Sequence, residues 1–295
     1  MNKSLGVALI QVLIISAVLA VFCLFLQQNI RFQIDLAAKA KSRIDLRVKL
    51  ENAESLLFQS LLGHKKYQDK KDTDPIVRNW NFYGESFSIS DSVRVTIQDK
   101  LGLVNANLAN KNLLTNMLVE LGYEYKEANH FYDSLEDWKD LDTMRRLNGA
   151  EKDDYTDSSY PRNGLIQSVF ELTHIKGGQS LKALKFSQYF TTEIASGFNP
   201  MNAPDRVLKA YLRNGKFFQQ VKSYRDKGEL TPLLFYQITG VDSDEYITFA
   251  TSGFLAVELS AVDGELQITK RIDLKLQPKS MQRPIIIKSV SWKES

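Results

Sequence analysis

Between Val7 and Leu62 the chain contains neither glycine nor proline. Nothing local therefore breaks a helix over that span, which at about 1.5 Å per residue would reach roughly 84 Å, about twice the thickness of a membrane. The first twenty of these residues, Val7 to Leu26, carry no formal charge, and Gly6 stands directly before them. Such a stretch is about 30 Å long as a helix, which matches the hydrocarbon core of a bilayer. It is longer than the core of a secretory signal, about 7 to 15 residues, and its flank, Leu26-Gln27-Gln28-Asn29, offers no A-x-A cleavage site. The stretch reads as a membrane anchor, and the lower half of the helix must stand in water.

The length of 295 residues leaves room for one or two folded domains beyond the anchor, and 25% charged with 43% hydrophobic residues is ordinary globular composition. The net charge is only +3 with basic residues scattered, so the electrostatic footprint of a nucleic-acid binder is missing. The single cysteine, Cys23, lies inside the apolar stretch and reads as a small apolar anchor residue; lipidation is the alternative and calls for a juxtamembrane position. The soluble part thus has no disulfide framework and no thiol nucleophile. Orientation is left open by charge, because Lys3 and the amino terminus face Arg31, Lys39, Lys41 and Arg43 across the span.

After Gln27 the pattern becomes amphipathic, with Leu46, Leu50, Ala53, Leu57 and Leu61 at helical spacing and Gly63 as a helix end. The run Ile44 to Leu50 also alternates with period two, but the breaker-free flanks favour helix. His64 to Pro75 reads as a loop, and Phe87-Ser88-Ile89 with Val93 to Ile97 as two strands around Asp91. From Leu103 to Gly215 helical periodicity returns in three segments expected to end at Gly122, near Gly177 and at Gly215. Strands are expected again at Leu233–Ile238, at Tyr246–Ala250, in a hairpin turning at Asp263-Gly264, and at Ile285–Val290. The order of strands, helices and strands without a linker is what insertion of a helical domain into a sheet domain would produce. Within the helical block, Asn105-x3-Ala109-x3-Leu113-Leu114 is echoed by Asn199-x3-Ala203-x3-Val207-Leu208, a spacing that fits two capped helix entries.

Two Glu-x-x-His pairs, Glu127 with His130 and Glu171 with His174, match part of a di-iron carboxylate pattern, but the supporting bundle is missing and the plain reading is hydrogen-bonded helix residues. No H-E-x-x-H, G-x-S-x-G, Walker loop or G-x-G-x-x-G is present. Asp133 to Asp157 differs in kind, with nine carboxylates among 25 residues around Asn148-Gly149. Hard Ca²⁺ takes about six to eight oxygens and a loop of this composition can supply them, yet Met144 and Arg145 break the EF-hand spacing. A calcium loop and a solvated acidic loop both remain open on these residues alone.

Gly6 followed by Val7-Ala8-Leu9-Ile10 and the apolar helix, after a short leader carrying Lys3, looks like a type IV prepilin processing site. Downstream stand Ile97-Gln98-Asp99-Lys100-Leu101-Gly102-Leu103-Val104-Asn105-Ala106-Asn107, Leu135 to Asp142, Asn148-Gly149-Ala150-Glu151 with Tyr155, Tyr160 to Gly164, Glu171 to Gly177 and Phe198 to Ala203, in that order. The ordered set, over roughly residues 1–215, resembles the K-class minor pseudopilins of the type II secretion system. The resemblance implies an α+β, pilin-like fold: a long N-terminal helix packed on an antiparallel sheet, with an all-α domain inserted between strands. In those terms residues 1–6 are a prepilin leader and 7–26 the transmembrane half of the helix. Residues 27–102 hold the amphipathic half and first strands, 103–215 the inserted domain, and 216–295 the remaining strands.

The resemblance further implies a non-enzymatic tip subunit of a pseudopilus, anchored in the inner membrane with its bulk in the periplasm. It implies cleavage between Gly6 and Val7 by a prepilin peptidase, methylation of Val7, and partnership with the I- and J-class minor pseudopilins and the major pseudopilin. At the fifth mature position, where most pilins carry Glu and the K class characteristically lacks that acid, stands Gln11; it cannot neutralise a neighbouring amine, which suits a subunit with none above it. The family's acidic loop is associated with calcium, and motif position nominates Asp137, Asp140, Asp142 and Glu151 as donors. Val7 in place of the usual Phe, and the polar His174 and Lys176, depart from the pattern. A minor pilin of a type IV pilus, or an uncleaved single-pass membrane sensor or enzyme subunit, are the alternative readings.

Overall fold

The computed structural model describes residues 4–295 apart from Ala109, Ser158 and Ser196, and of residues 4–8 the backbone alone. The expected leader therefore lies partly outside the described residues, and so do the side chains of the expected processing residues Gly6 and Val7.

One helix, α1, runs unbroken through Ser4–Gly63. From Leu9 to Lys41 every side chain is exposed, so the upper half projects free of the body. Within Leu9–Gly63 the helix is long and apolar enough to cross a membrane, which fits a single-pass anchor. Lower down, Leu46, Leu50, Ala53, Leu57 and Leu61 are buried, and their spacing of three and four places them on one stripe. That stripe is the reason the lower half is docked: each fully buried leucine contributes about 1.5–3 kcal/mol of transfer free energy.

The stripe lies on a five-stranded, wholly antiparallel sheet of order β1-β2-β5-β6-β7. A short helix, α2 (Pro75–Asn79), capped by Asp74, leads into β1 (Tyr83–Ser90) and β2 (Val93–Asp99). The chain then leaves the sheet and passes through β3 (Val104–Asn105), α3 (Lys111–Glu120), α4 (Tyr125–Lys139), β4 (Phe190–Thr191), α5 (Asp205–Leu212), α6 (Gly215–Asp226) and α7 (Pro232–Thr239). It returns as β5 (Phe254–Asp263), β6 (Leu266–Leu276) and β7 (Ile285–Glu294). Val93, Val95 and Ile97 of β2 alternate toward α1, and the partners they face in β5 are Ala261, Leu259 and Val257. Period-two burial on neighbouring strands makes one apolar face, which α1 covers.

The inserted lobe leaves after Asp99 and returns before Leu255, and these two residues are paired across β2 and β5. Exit and entry are therefore adjacent, so the insertion closes without disturbing strand register. The lobe has its own core, centred on Leu114, Met117, Phe131, Trp138, Leu172 and Leu208, and a small parallel sheet of β3 and β4. Asp99 joins the two parts. Its fully buried carboxylate accepts bonds from Ser252 Oγ (2.5 Å), Asn202 Nδ2 (2.9 Å) and the amides of Leu101 and Ser252 (both 3.1 Å).

The lobe extends beyond the expected boundary at 215. Asn214 accepts hydrogen bonds from the amides of Lys216 (3.0 Å) and Phe217 (3.3 Å), so Asn214-Gly215 opens α6 where the sequence suggested a helix end. Leu233–Ile238, expected as a strand, lies in α7: Thr231 caps it, Pro232 occupies its first turn and Gly240 ends it at φ 74°. Its Phe235 packs in the lobe core, so the segment belongs to the lobe and not to the sheet. At Tyr246–Ala250 only Ile247 makes a bridge, to Phe198. The helix expected to end near Gly177 is a five-residue 3-10 turn, Val169–Thr173, and β7 extends to Glu294. The Asn105 and Asn199 echo is a pair of turns in which each side chain accepts amides two or three residues on, leading to α3 and α5 respectively.

Candidate functional site

Two features of the molecule have the chemistry of a working site, the free helix and an acidic cradle in the lobe. Along α1, on the side opposite the buried stripe, Leu26, Ile30, Ala37, Ala40, Ile44 and Val48 are exposed at spacings of three, four and seven. An apolar ridge thus continues below the membrane-length segment, where water would be expected to favour polar residues. Gln11 lies exposed in the upper, apolar half.

The cradle is built where α4 ends. Glu127 accepts from the Glu124 amide (2.9 Å) and so caps the start of this helix, while Asp140 is its C-terminal boundary. Trp138, fully buried on the same helix, packs against Tyr155 (5.7 Å between centroids) and Tyr160 (4.9 Å), and this aromatic wall supports the loop beneath. Above it, one carboxylate oxygen each from Asp140, Asp142 and Glu151 converge to within 4.8 Å of one another. Asp140 Oδ1 and Glu151 Oε1 are buried without a hydrogen-bond partner among the described residues. Burial first, and then the charges of Asp137, Asp140 and Asp142, push the Glu151 carboxyl above its ordinary pKa of 4.5.

Of the four nominated donors the structure brings three together. Asp137 is fully buried and faces Arg146, whose Nη1 donates to it at 2.6 Å and whose backbone amide also donates. Arg146 bridges Asp137 to Asp140, and hydrogen bonds to both carboxylates raise its pKa further. A carboxylate so occupied serves to orient the loop. It also explains Gly149, since a Cβ there would collide with the Asp137 carboxylate. The sequence reading missed Arg146 and also Asn163, whose buried Oδ1 has no partner among the described residues and whose Nδ2 lies 3.4 Å from the Asp142 carbonyl. Neither residue type announces such a role without the loop's conformation.

Three converging carboxylates, with an orphaned oxygen each on Asp140 and Glu151, suit a hard divalent cation, because they offer oxygen donors and more negative charge than the one neighbouring guanidinium of Arg146 offsets. The two Glu-x-x-His pairs are not brought together in this way. Glu171 accepts from Gln167 and Ser168 amides and pairs with Arg162, His130 Nδ1 lies 3.2 Å from the Asn148 carbonyl, and His174 rests against the Tyr160 ring.

A membrane-length helix docked by its lower half on an antiparallel sheet, with a helical lobe spliced between two neighbouring strands, defines a pilin-like, membrane-anchored subunit. Residues 94–191, from β2 through β4, match the family described as type II secretion system (T2SS), protein K. A sequence named type II secretion system protein K from Escherichia coli (strain K12) is 24% identical over 231 residues, covering 70% of this chain and 69% of that one. The crystal structure of the GspK-GspI-GspJ complex from enterotoxigenic Escherichia coli contains a chain of the same fold, with TM-score 0.52 and 17% identity, covering 84% of this chain and 95% of that chain. The stretch from β2 through β4 therefore carries a domain of the type II secretion protein K family, on a chain of pilin-like fold.

Proposed function

We propose that the protein acts by assembly and not by catalysis, as a tip subunit of the periplasmic pseudopilus that drives protein export across the outer membrane. The observation that carries this is the ridge from Leu26 to Val48, exposed on the side of α1 away from the sheet. A ridge of this kind is buried when helices of sibling subunits lie alongside it, and the I- and J-class minor pseudopilins are the partners it fits, with the major pseudopilin below. The relative of the same fold, GspK, was crystallised with GspI and GspJ. In this reading α1 crosses the inner membrane once, the body is periplasmic, and a prepilin peptidase cuts between Gly6 and Val7 before Val7 is methylated. Gln11 offers no carboxylate to the amine of a further subunit, in keeping with a terminal position.

Asp140, Asp142 and Glu151 would hold Ca²⁺, with the Asn163 oxygen nearby and Asp137 acting through Arg146. Bound, the ion would supply two positive charges against the three converging carboxylates. The residues themselves shape the loop, and their mutual repulsion is what a cation relieves.

Mass spectrometry of the native protein tests the assembly reading, with loss of residues 1–6 and a methyl group on Val7 as the expected result. An intact Met1 terminus would favour an uncleaved sensor or enzyme subunit. Gly6→Ala should block processing, and a charged residue at Leu13 should impair insertion by about 2.5–3.5 kcal/mol. Normal export in both variants would refute the scheme, and co-purifying partners separate it from a type IV pilus.

A further inference from the structure

The lobe holds a cavity of about 650 Å³ between α3, the end of α5 and residues 245–247. This volume lies in the range of about 300–1,000 Å³ that accommodates a small ligand. None of the four acidic residues nominated for calcium lines it.

Its wall carries several planar polar groups left unpaired among the described residues, on the half-buried Asn116 and on Asn112, Arg213, Glu245 and Tyr246, which are exposed at its rim. Asn112 and Asn116, one turn apart on α3, make no side-chain hydrogen bond among the described residues, and Asn110 spends only its oxygen, accepting from the Leu113 amide at 3.1 Å. Tyr211 packs its ring on Phe198 (5.1 Å between centroids), and Tyr246 is 68% exposed. Two opposite charges, Arg213 and Glu245, also line the cavity, and neither forms an ion pair among the described residues.

A second observation comes from the backbone. Arg213 ends α5 in the left-handed region, at φ 53°. That position is usually glycine or asparagine, and asparagine is the very next residue, yet an arginine occupies it. A side chain kept at a disfavoured φ next to a cavity is the kind of strain found where ligands are clamped.

The chemistry selects among ligands. An apolar molecule would leave the amides and charges desolvated and unpaired, which is unfavourable. A simple anion would meet Glu245 as well as Arg213. Vicinal hydroxyl and acetamido groups, in contrast, both donate and accept, and planar amide, carboxylate and guanidinium groups pair with them two bonds at a time. The C–H face of a sugar ring carries partial positive charge that suits the electron-rich face of a tyrosine.

We propose that this cavity binds a short glycan, with Asn112 and Asn116 hydrogen-bonding its hydroxyl or acetamido groups, Tyr246 stacking on a sugar ring, and Arg213 and Glu245 clamping adjacent hydroxyls. Cell-wall glycan and an unacetylated polysaccharide share this chemistry. The site serves recognition in the lobe and is independent of the helix ridge.

The test uses the full chain in a detergent without a sugar headgroup, titrated calorimetrically with the trisaccharide of N-acetylglucosamine and separately with cellotriose. Saturable binding of at least one, with Kd below about 1 mM, is expected, and the preferred sugar identifies the source. Tyr246→Ala and the double variant Asn112→Ala/Asn116→Ala should each weaken it at least tenfold, while Met281→Ala, at a fully exposed position outside the cavity, should not. Circular dichroism melts identify any variant that fails to fold, and Asn116→Asp then replaces it. No binding of either sugar at millimolar concentration, or undiminished affinity in the folded variants, overturns the proposal.

Discussion

Lys270 on β6 is a buried polar clasp between rod and sheet, beside the exposed pairs of Arg43 and Arg47 with Glu294, and replacing it with methionine isolates what that clasp contributes. Its ammonium donates to Glu51 (2.7 Å) and to Glu54, both on α1, and lies 4.9 Å from the centre of the Trp292 ring on β7. Burial opposes the charge, but the hydrogen bonds to Glu51 and Glu54 outweigh it and the lysine pKa is raised. The two acids are unequal, since the Glu51 side chain is 55% exposed and that of Glu54 only 11%. The exposed pair contributes at most about 1 kcal/mol, and the cation over Trp292 about 0.5–1 kcal/mol. The large effect comes from Glu54, left buried and unpaired, so Lys270→Met should cost about 3–5 kcal/mol. The double variant Glu54→Leu/Lys270→Met removes both charges and should fall within about 1 kcal/mol of the parent, or above it. Urea unfolding of the full chain in detergent, followed by near-ultraviolet circular dichroism, measures all three. A single variant costing under about 1 kcal/mol, or a double variant as unstable as the single, would refute the reasoning.

Leu57 is fully buried between α1 and the sheet, and Leu57→Ala should destabilise by about 2–5 kcal/mol in the same assay, while Leu56→Ala, at 52% exposure, should change stability by under about 0.5 kcal/mol. Equal effects at the two positions would show that α1 does not dock by this stripe. For Glu151 the folded pKa is raised, so its contribution to stability is fully present below the ordinary 4.5 and is lost as pH rises through the higher folded value. In a chelator the lobe should therefore melt lower at pH 7 than at pH 5 on account of this group, and Glu151→Gln should flatten the difference. Calcium at a hundred times its Kd should restore about 2.7 kcal/mol at pH 7 in the parent and much less in the variant. Identical melting with calcium and with chelator would remove the cation from the reading.

What could be read from the residues followed the range of the forces that set each element. The rod was legible because helix continuity depends only on neighbours three and four away, and no breaker stands between Val7 and Leu62. The β5–β6 hairpin was legible because Asp263-Gly264 marks its turn locally. Leu233–Ile238 was misjudged for a related reason: its apolar run suits strand or helix, and the deciding signals, Thr231, Pro232 and Gly240, lie outside the run. Asn214-Gly215 was equally ambiguous, since an Asn-Gly pair can close one helix or open the next.

The cradle divides along the same line. Composition singled out the acidic loop, and three of its carboxylates meet in space, but only the fold assigns Asp137 to Arg146 and brings Asn163 beside Asp142. Asp137 and Arg146 are nine residues apart, and nothing in their spacing states that the loop doubles back to join them.

The sequence by itself determined that this chain is a rod with an apolar half, that its wet half has one apolar face to dock, and that a helical block stands between two sets of strands. Those features rest on periodicity, breakers and caps, all local in the chain. Tertiary structure alone decided where the lobe ends, which face of the rod stays open, and which carboxylates converge. Each of these depends on residues far apart in sequence competing for the same burial or the same charge, and that competition is resolved only when the chain is packed.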